Sequence, residues 1–223
     1  MNTTPSWEHL GLEPDLAARV AARGWIEPLP VQREALPPAL AGLDVLGRSQ
    51  TGTGKTAAYG LPIAQRLGNR SAHRTRALVL VPTRELATQV EAEFRWMTAG
   101  TALRGALVVG GLSIEGQRAA LAEGADWIVA TPGRLLDLVN RGWASLNALE
   151  VLVLDEADQL LALGFLDDIK SIAEVLPPKR QTMLFSATMP REIAELARAL
   201  LSRPVRIDVG EATSADAVAE QLW

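Results

Sequence analysis

The sequence predicts an α/β fold in which a mostly parallel central sheet carries helices on both faces. Short apolar runs, typical of strands, lie near residues 44–47, 77–81, 105–109, 127–130, 151–154, 182–186 and 205–209. Segments with helical spacing of apolar residues separate these runs. Strands that alternate with helices form parallel sheets through βαβ crossovers. Before the first strand we expect two helices, one from Glu13 to Gly24 and one over 31–40.

Composition narrows the class of protein. The 223 residues are 48% hydrophobic and 22% charged, which is typical of one globular domain with a full core. There is no cysteine and there are only two histidines, so a zinc site is not expected. The net charge is -4, whereas proteins that bind nucleic acid through bulk electrostatics are usually basic. We expect a cytoplasmic protein with no membrane partner, because no signal peptide or membrane-length apolar run is present.

A glycine-containing loop follows the first predicted strand and precedes a predicted helix. Its residues are Ser49, Gln50, Thr51, Gly52, Thr53, Gly54, Lys55 and Thr56. Such a turn directs backbone amides and the positive end of the helix dipole at phosphate oxygens. We expect Lys55 to reach the β and γ phosphates and Thr56 to bind Mg²⁺.

One position departs from the strict phosphate-loop pattern, which requires glycine where this chain has Ser49. The loop must then avoid a positive φ at that position. Taken alone, the segment is also compatible with a surface turn rich in glycine and threonine.

Two carboxylates follow the apolar run Val151–Leu154, which is typical of a strand buried on both faces. Ligand sites of open α/β sheets lie at the carboxyl ends of strands. We expect Asp155 to hold Mg²⁺, directly or through water, and Glu156 to orient and deprotonate the attacking water. Lys55, Asp155 and Glu156 are therefore the candidate catalytic residues. The alternative is a solvated acidic loop.

A further apolar run, residues 182–185, ends in Ser186, Ala187 and Thr188. The two hydroxyls at this strand end can bond the Asp158 carboxylate. We interpret Asp158, Ser186 and Thr188 as a group that couples the nucleotide state to another surface.

The motifs, in this order and at this spacing, resemble the amino-terminal RecA-like domain of a DEAD-box RNA helicase from about Trp7 to Val209. The resemblance implies a RecA-like P-loop NTPase fold that uses ATP and Mg²⁺. It also implies three parts. Residues 1–42 form a helical segment that carries the Q motif and packs on the core, 43–209 form the ATP-binding domain, and 210–223 begin a linker to a second RecA-like domain, which this chain lacks.

The segment Gly24–Gln32 resembles the family's Q motif, which makes Gln32 the adenine reader and Trp25 the aromatic that frames the base. A glutamine amide offers a donor and an acceptor side by side, matching the N6 and N7 edge of adenine. Leu29 stands where the family usually has threonine, and Trp7 where it has phenylalanine. We expect adenine selectivity to persist. For both tryptophans, ordinary core packing is the alternative to base contact.

Three segments resemble the RNA-facing motifs of the family, and each closes a predicted strand. They comprise Pro82, Thr83, Arg84, Gly110, Gly111, Thr131, Pro132, Gly133 and Arg134. Thr83 and Thr131 are predicted to cap helices, with Pro132 as a first helical residue. Helix starts and arginines contact phosphates and read no base, which implies RNA binding that is independent of sequence and weak for this acidic chain. The alternative is a set of capped connections with solvated arginines.

The resemblance implies local RNA duplex unwinding by the complete protein. The arginines of the second domain are missing from this chain, and an arginine finger contributes roughly 10³ to 10⁵ in rate. We expect the chain to bind nucleotide, to hydrolyse it poorly and not to unwind RNA. Two rival interpretations remain: a P-loop phosphotransferase with a small-molecule substrate, and a truncated binding module without catalysis. The sequence does not predict the oligomeric state.

Overall fold

The computed structural model describes residues 6–50 and 52–209. One sheet contains the strands β1 (Val45–Ser49), β2 (Ala77–Leu80), β3 (Gly105–Val108), β4 (Trp127–Ala130), β5 (Val151–Leu154), β6 (Gln181–Ser186) and β7 (Val205–Val209). The strand order is β3-β4-β2-β5-β6-β1-β7, and each described pairing is parallel. The predicted α/β class is therefore confirmed.

The helices that connect and cover these strands are α1 (Pro14–Ala22), α2 (Pro30–Leu40), α3 (Lys55–Leu67), α4 (Arg84–Met97), α5 (Ile114–Ala122), α6 (Pro132–Asn140), α7 (Ala157–Ala162), α8 (Leu166–Glu174) and α9 (Arg191–Leu200). Both helices predicted before β1 are present.

Strand side chains alternate between two hydrophobic clusters, one on each face of the sheet. In β2, Leu78 and Leu80 belong to one cluster, whereas Ala77 and Val79 belong to the other. Successive side chains of a strand point to opposite faces, so a continuous apolar run requires cover on both sides. Helices α2, α3 and α4 supply that cover on one face, and α6, α7, α8 and α9 supply it on the other.

The segment before β1 adds an outer layer to the α2–α4 face. Trp7 and Val20 pack there against Leu36, Leu61 and Met97 in a third hydrophobic cluster. This layer matters for the site because it packs on α2 and on the segment before it, which contain the predicted adenine-binding residues Gln32 and Trp25. The separation of residues 1–42 from 43–209 as distinct parts stays a prediction.

The first strand is longer than predicted. Arg48 and Ser49 continue β1 and pair with Asp208 and Val209 of β7. Pairing with β7 extends the strand, because backbone groups of polar residues can join a ladder as well as those of apolar ones. The predicted linker 210–223 lies outside the described residues, as does Thr51. In the described part of the chain, no helix is both long and apolar enough to cross a membrane.

The buried carboxylate of Asp126 stabilises the edge of the sheet at which the strands begin. Asp126 is 0% exposed and accepts hydrogen bonds from the backbone amides of Ala72 (2.7 Å) and Arg104 (3.0 Å). Its Oδ1 also lies 3.5 Å from a guanidinium nitrogen of Arg76. Arg76 directly precedes β2 and Arg104 directly precedes β3. Asp126 therefore connects the loop around Ala72 with the starts of both strands.

We expect Asp126→Ala to lower the free energy of unfolding by about 3 kcal/mol, because it leaves two amides and a guanidinium without their acceptor. Urea denaturation followed by circular dichroism measures the effect. Asp167→Ala, which removes an exposed carboxylate, should change stability by about 0.5 kcal/mol or less. Equal effects of the two substitutions would contradict this role of Asp126.

Candidate functional site

The predicted phosphate loop joins the carboxyl end of β1 to the first turn of α3. Gly52 and Gly54 both have positive φ, at 79° and 87°. At Gly54 a Cβ atom would also lie 2.5 Å from Nε2 of Gln32, so both conformation and space require glycine there. Ser49 has no positive φ, because it is the last residue of β1. The backbone of Ser49 therefore avoids a positive φ, as a phosphate loop without glycine at this position requires.

Lys55 is the first residue of α3 and is 5% exposed. Its ammonium group donates a hydrogen bond to the carbonyl oxygen of Ser49 at 3.2 Å and lies 3.9 Å from Oδ1 of Asp155. The ammonium group thus lies between the loop backbone and the end of β5. A lysine in this position can meet phosphate oxygens that lie in the loop.

Asp155 follows β5 directly and is 2% exposed. Its Oδ1 accepts a hydrogen bond from the Glu156 amide at 2.9 Å, and its Oδ2 accepts one from the Tyr59 hydroxyl at 2.9 Å. Burial raises the pKa of Asp155, while Lys55 and Tyr59 act in the opposite direction. The carboxylate therefore carries a desolvation cost that its neighbours offset only in part.

Glu156 has a left-handed backbone, with φ of 52°, at the start of α7. A non-glycine residue in this region is strained, and such strain is frequent at functional sites. Burial raises the pKa of Glu156, and the adjacent Asp155 raises it further. The side chain lines the same cavity as Lys55 and Asp155.

Gln32 lies at the other end of the site, in the first turn of α2, and is 4% exposed. Its Oε1 accepts a hydrogen bond from the Leu29 amide at 2.8 Å, and its Nε2 donates one to the Gly54 carbonyl at 3.1 Å. A glutamine amide has two donor hydrogens and two acceptor lone pairs, so one of each remains available for a ligand. Gln32 therefore connects the base end of the cavity to the phosphate loop.

The two predicted aromatics have different positions. Trp7 is 4% exposed in the outer hydrophobic cluster, and its Nε1 donates to the Trp25 carbonyl at 2.8 Å. Trp25 lines the cavity and packs on Trp96, with ring centroids 5.2 Å apart. The Arg23 guanidinium lies over both of these rings and pairs with Glu93 at 2.6 Å. Trp7 is thus a core residue, whereas Trp25 presents a ring to the cavity.

One cavity of about 1090 Å³ joins these groups. Its lining runs from Trp25 and Gln32 to Lys55, Asp155 and Glu156. The volume is slightly above the roughly 300–1,000 Å³ that is usual for small-molecule and cofactor sites. A carboxylate and a hydroxyl, supplied by Asp155 and Thr56, are oxygen ligands of the kind that Mg²⁺ prefers. The residues present therefore fit a magnesium-bound nucleoside triphosphate.

The three predicted RNA-facing segments follow β2, β3 and β4, which are neighbours in the sheet. Because all strands are parallel, these segments meet at one edge. A Cβ atom on Gly111, whose φ is 78°, would lie 2.2 Å from Nη1 of Arg84. Arg134 donates from Nη1 to the Leu112 carbonyl at 3.2 Å. Both arginines therefore converge on the loop that contains Gly110 and Gly111.

The helix caps in this region differ from one another. Thr83 caps α4 as predicted, since its hydroxyl accepts a hydrogen bond from the Leu86 amide at 3.2 Å. Thr131 has the N-cap position of α6 and Pro132 the first helical position, but the Thr131 hydroxyl makes no capping bond. The first amides of α6 are thus not occupied by that hydroxyl. Pro82 and Pro132 are buried, while Gly133 is half-buried.

The predicted coupling group is assembled, but one of its bonds differs from the expectation. Oδ2 of Asp158 accepts hydrogen bonds from both the amide and the hydroxyl of Thr188, each at 3.0 Å. The Ser186 hydroxyl accepts from the Asp158 amide at 3.2 Å and does not contact the carboxylate. The reason is that Ser186 is fully buried in β6, beside the start of α7, where helix amides lack partners within the helix.

Four residues around the cavity were not predicted from the sequence: Tyr59, Arg23, Glu93 and Trp96. Tyr59 is the only tyrosine of the chain and lies in the apolar helix α3, one turn after Lys55. A buried tyrosine usually finds a partner for its hydroxyl, so its spacing from Lys55 was an available signal. Arg23 contacts both Glu93 and Trp96 of α4 from the end of α1, and no local pattern indicates these contacts.

A phosphate loop at the end of one parallel strand and paired carboxylates at the end of another define a nucleoside-triphosphate-binding domain of the P-loop class. A profile described as DEAD/DEAH box helicase matches residues 29–196. DEAD-box ATP-dependent RNA helicase 53 of Oryza sativa subsp. japonica is 46% identical over 205 residues, which cover 90% of this chain and 34% of that protein. DEAD-box ATP-dependent RNA helicase CshA of Streptococcus pneumoniae serotype 4 is 44% identical over 203 residues, or 91% of this chain and 38% of that protein.

The fold has solved counterparts. The crystal structure of a DEAD box protein from Methanococcus jannaschii has a TM-score of 0.87 at 33% identity, covering 92% of this chain and 56% of the other. The chain belongs to the DEAD/DEAH box helicase family and has the RecA-like fold of its amino-terminal domain. It spans about a third of the length of the two curated relatives. The resemblance seen in the sequence is confirmed.

Without nucleotide and magnesium, the stability of the wild-type protein relative to Asp155→Asn should fall as pH rises. Burial raises the folded-state pKa of Asp155. From about pH 4 up to that raised pKa, the folded state binds the proton more tightly than the unfolded state, and deprotonation costs stability. The asparagine has no charge to desolvate. Loss of the negative charge also removes one cause of the raised pKa of Glu156, which acts in the same direction.

Urea denaturation of both proteins across this pH range measures the difference. The variant should be the more stable of the two at neutral pH, and the two should converge in acid. Parallel pH dependence would contradict a desolvation cost at Asp155.

Proposed function

We propose that this chain is the ATP-binding half of an ATP-dependent RNA helicase. In the complete protein, ATP and RNA binding would separate short stretches of duplex without reading sequence. The observation that carries the proposal is the single cavity that runs from Trp25 and Gln32 to Lys55, Asp155 and Glu156. The family membership of the chain supports the same reaction.

At the base end, Trp25 frames adenine and Gln32 reads its edge. The second donor and second acceptor of the Gln32 amide match the N7 acceptor and N6 donor of adenine, whereas guanine presents two acceptors, N7 and O6, at the same edge. Trp25 is held from behind by Trp96 and by its carbonyl bond to Trp7. The ring is therefore positioned before the base arrives, which reduces the entropy lost on binding.

At the phosphate end, the amides of the loop Ser49–Thr56 and the Lys55 ammonium bind the β and γ phosphates. Thr56 and Asp155 would hold Mg²⁺, which would neutralise negative charge on the phosphates. Glu156 orients a water molecule and accepts its proton as the water oxygen attacks the γ phosphorus. The bond from the γ phosphorus to the bridging oxygen of ADP then breaks.

RNA binding is assigned to the edge formed after β2, β3 and β4. Arg84 and Arg134 contact phosphates, and the first amides of α6 and the glycines at 110 and 111 allow close approach of the backbone. The net charge of -4 makes this binding weak in the isolated chain. Asp158, with Thr188 and Ser186, transmits the nucleotide state toward the second RecA-like domain.

The two rival functions have less support. A phosphotransferase with a small substrate has no need for arginines that converge on a glycine loop beside the cavity. A binding module without catalysis has no need for a buried Lys55 and Asp155 or for a strained Glu156, each of which costs stability. Cytoplasmic location stays a prediction from the sequence.

Residues 1–223 should bind magnesium ATP, and Lys55→Ala should weaken this binding at least about tenfold, because it removes a charge-assisted bond to phosphate. Lys170→Ala, at an exposed lysine of α8, is the control and should bind like the wild type. Isothermal titration calorimetry measures both. Equal affinity of all three proteins would refute the assigned phosphate site.

The same chain should hydrolyse ATP very slowly, with little stimulation by RNA, because the second domain would supply the arginines. Fast RNA-stimulated turnover by residues 1–223 would contradict the two-domain account while leaving the nucleotide site intact.

Gln32→Ala should lower ATP affinity about tenfold and reduce the preference for ATP over GTP, since it removes base contacts and a bond to Gly54. Gln89→Ala is the matched control, because Gln89 lines the same cavity and is exposed. Competition binding with ATP and GTP reports both quantities. An unchanged nucleotide preference in Gln32→Ala would show that another group reads the base.

A further inference from the structure

The hydroxyl of Tyr59 lies inside the protein at the metal end of the cavity. The residue is 0% exposed, and its hydroxyl donates to Oδ2 of Asp155 at 2.9 Å. Burial and the nearby Asp155 carboxylate raise the pKa of Tyr59. The geometry makes the hydroxyl a buried hydrogen-bond donor to the carboxylate.

The ring of Tyr59 is held on both sides by other aromatic residues. Its centroid lies 6.3 Å from that of Phe94 on α4 and 5.6 Å from that of Phe185 on β6. Aromatic pairs at these distances pack in defined orientations. Because the ring is confined, the direction of the O–H group toward β5 is confined as well.

Tyr59 also connects the two parts of the site that bind the metal. It lies three residues after Thr56 and four after Lys55 on α3, so the three side chains share one face of the helix. Its hydroxyl reaches Asp155 across 96 positions of sequence. The Tyr59 hydroxyl therefore connects α3, which follows the phosphate loop, to the Asp155 carboxylate at the end of β5.

The bond distinguishes the two oxygens of the carboxylate. Tyr59 occupies Oδ2, while Oδ1 lies on the Lys55 side, 3.9 Å from the ammonium nitrogen. Oδ1 also accepts the hydrogen bond from the Glu156 amide at 2.9 Å, so two bonds hold the plane of the carboxylate. Without the Tyr59 hydroxyl, Oδ2 loses its partner and the plane can turn about the Cβ–Cγ bond.

We propose that Tyr59 is a positioning residue for magnesium binding, which fixes the plane of the Asp155 carboxylate that would hold the metal together with Thr56. The inference rests on the proposed function, because it assumes that magnesium-bound nucleotide occupies the cavity. Tyr59 touches neither metal nor nucleotide and acts through Asp155.

The test is the binding of AMP-PNP, a non-hydrolysable ATP analogue, measured by isothermal titration calorimetry with excess Mg²⁺ and again with excess EDTA. For Tyr59→Phe, affinity in Mg²⁺ should fall about tenfold, the usual worth of a hydrogen bond to a charged group. Affinity in EDTA should stay within about twofold of the wild type, because the loop amides and Lys55 are intact.

Thr98→Val is the matched control. Its hydroxyl is buried and donates to the Phe94 carbonyl at 2.8 Å, and the residue does not line the cavity. This variant loses a buried hydrogen bond, as Tyr59→Phe does, and should bind AMP-PNP like the wild type under both conditions. Urea denaturation of each variant verifies that the binding comparison is made on folded protein.

A double-mutant cycle with Asp155→Asn tests whether Tyr59→Phe changes AMP-PNP affinity through the Asp155 carboxylate. If Tyr59 acts through the carboxylate, Tyr59→Phe should have no further effect on AMP-PNP affinity in the Asp155→Asn background. An equal loss in Mg²⁺ and EDTA, no loss in either, or additive losses in the cycle would each overturn the inference. Failure of the wild type to bind AMP-PNP under both conditions would instead refute the proposed function, and the inference with it.

Discussion

Lys55 and Asp155 place opposite charges inside the protein, 3.9 Å apart, with side chains 6% and 3% exposed. Burying two charges is costly unless each has further hydrogen-bond partners. The Ser49 carbonyl serves the ammonium group, and the Tyr59 hydroxyl and the Glu156 amide serve the carboxylate. These contacts offset the desolvation of the carboxylate only in part, since burial still raises the pKa of Asp155. The site thus retains capacity for a ligand that brings phosphate and a divalent cation.

The parallel sheet explains how this pair relates to the rest of the molecule. Strands β5, β6, β1 and β7 form one half of the sheet, and the groups proposed to bind nucleotide follow β5 and β1. Strands β2, β4 and β3 form the other half, and the groups proposed to bind RNA follow them. The two halves meet where β2 pairs with β5. Because all carboxyl ends lie on one edge, a change around Asp155 can reach the Arg84 segment across a single strand spacing, about 5 Å.

Much of the fold and of the site could be predicted from the sequence. Apolar runs such as Val151–Leu154 indicated strands buried on both faces, and the glycines before Lys55 indicated a phosphate loop. These signals are local, because strand period, helix caps and left-handed glycines depend on neighbouring residues. The hydrogen bond that the Asp158 amide donates to the Ser186 hydroxyl was not predicted, since it depends on how β6 lies against α7.

By itself, the sequence determined the family, the order of strands and helices along the chain, and the residues that define the phosphate loop and the acidic pair. Only the tertiary structure decided which strands are neighbours, that Trp7 is a core residue while Trp25 faces the cavity, and that Gln32 bonds to Gly54. It also decided that Tyr59 reaches Asp155. The physical reason is that such contacts join groups far apart in the chain, whose meeting depends on packing of the whole sheet and its helices.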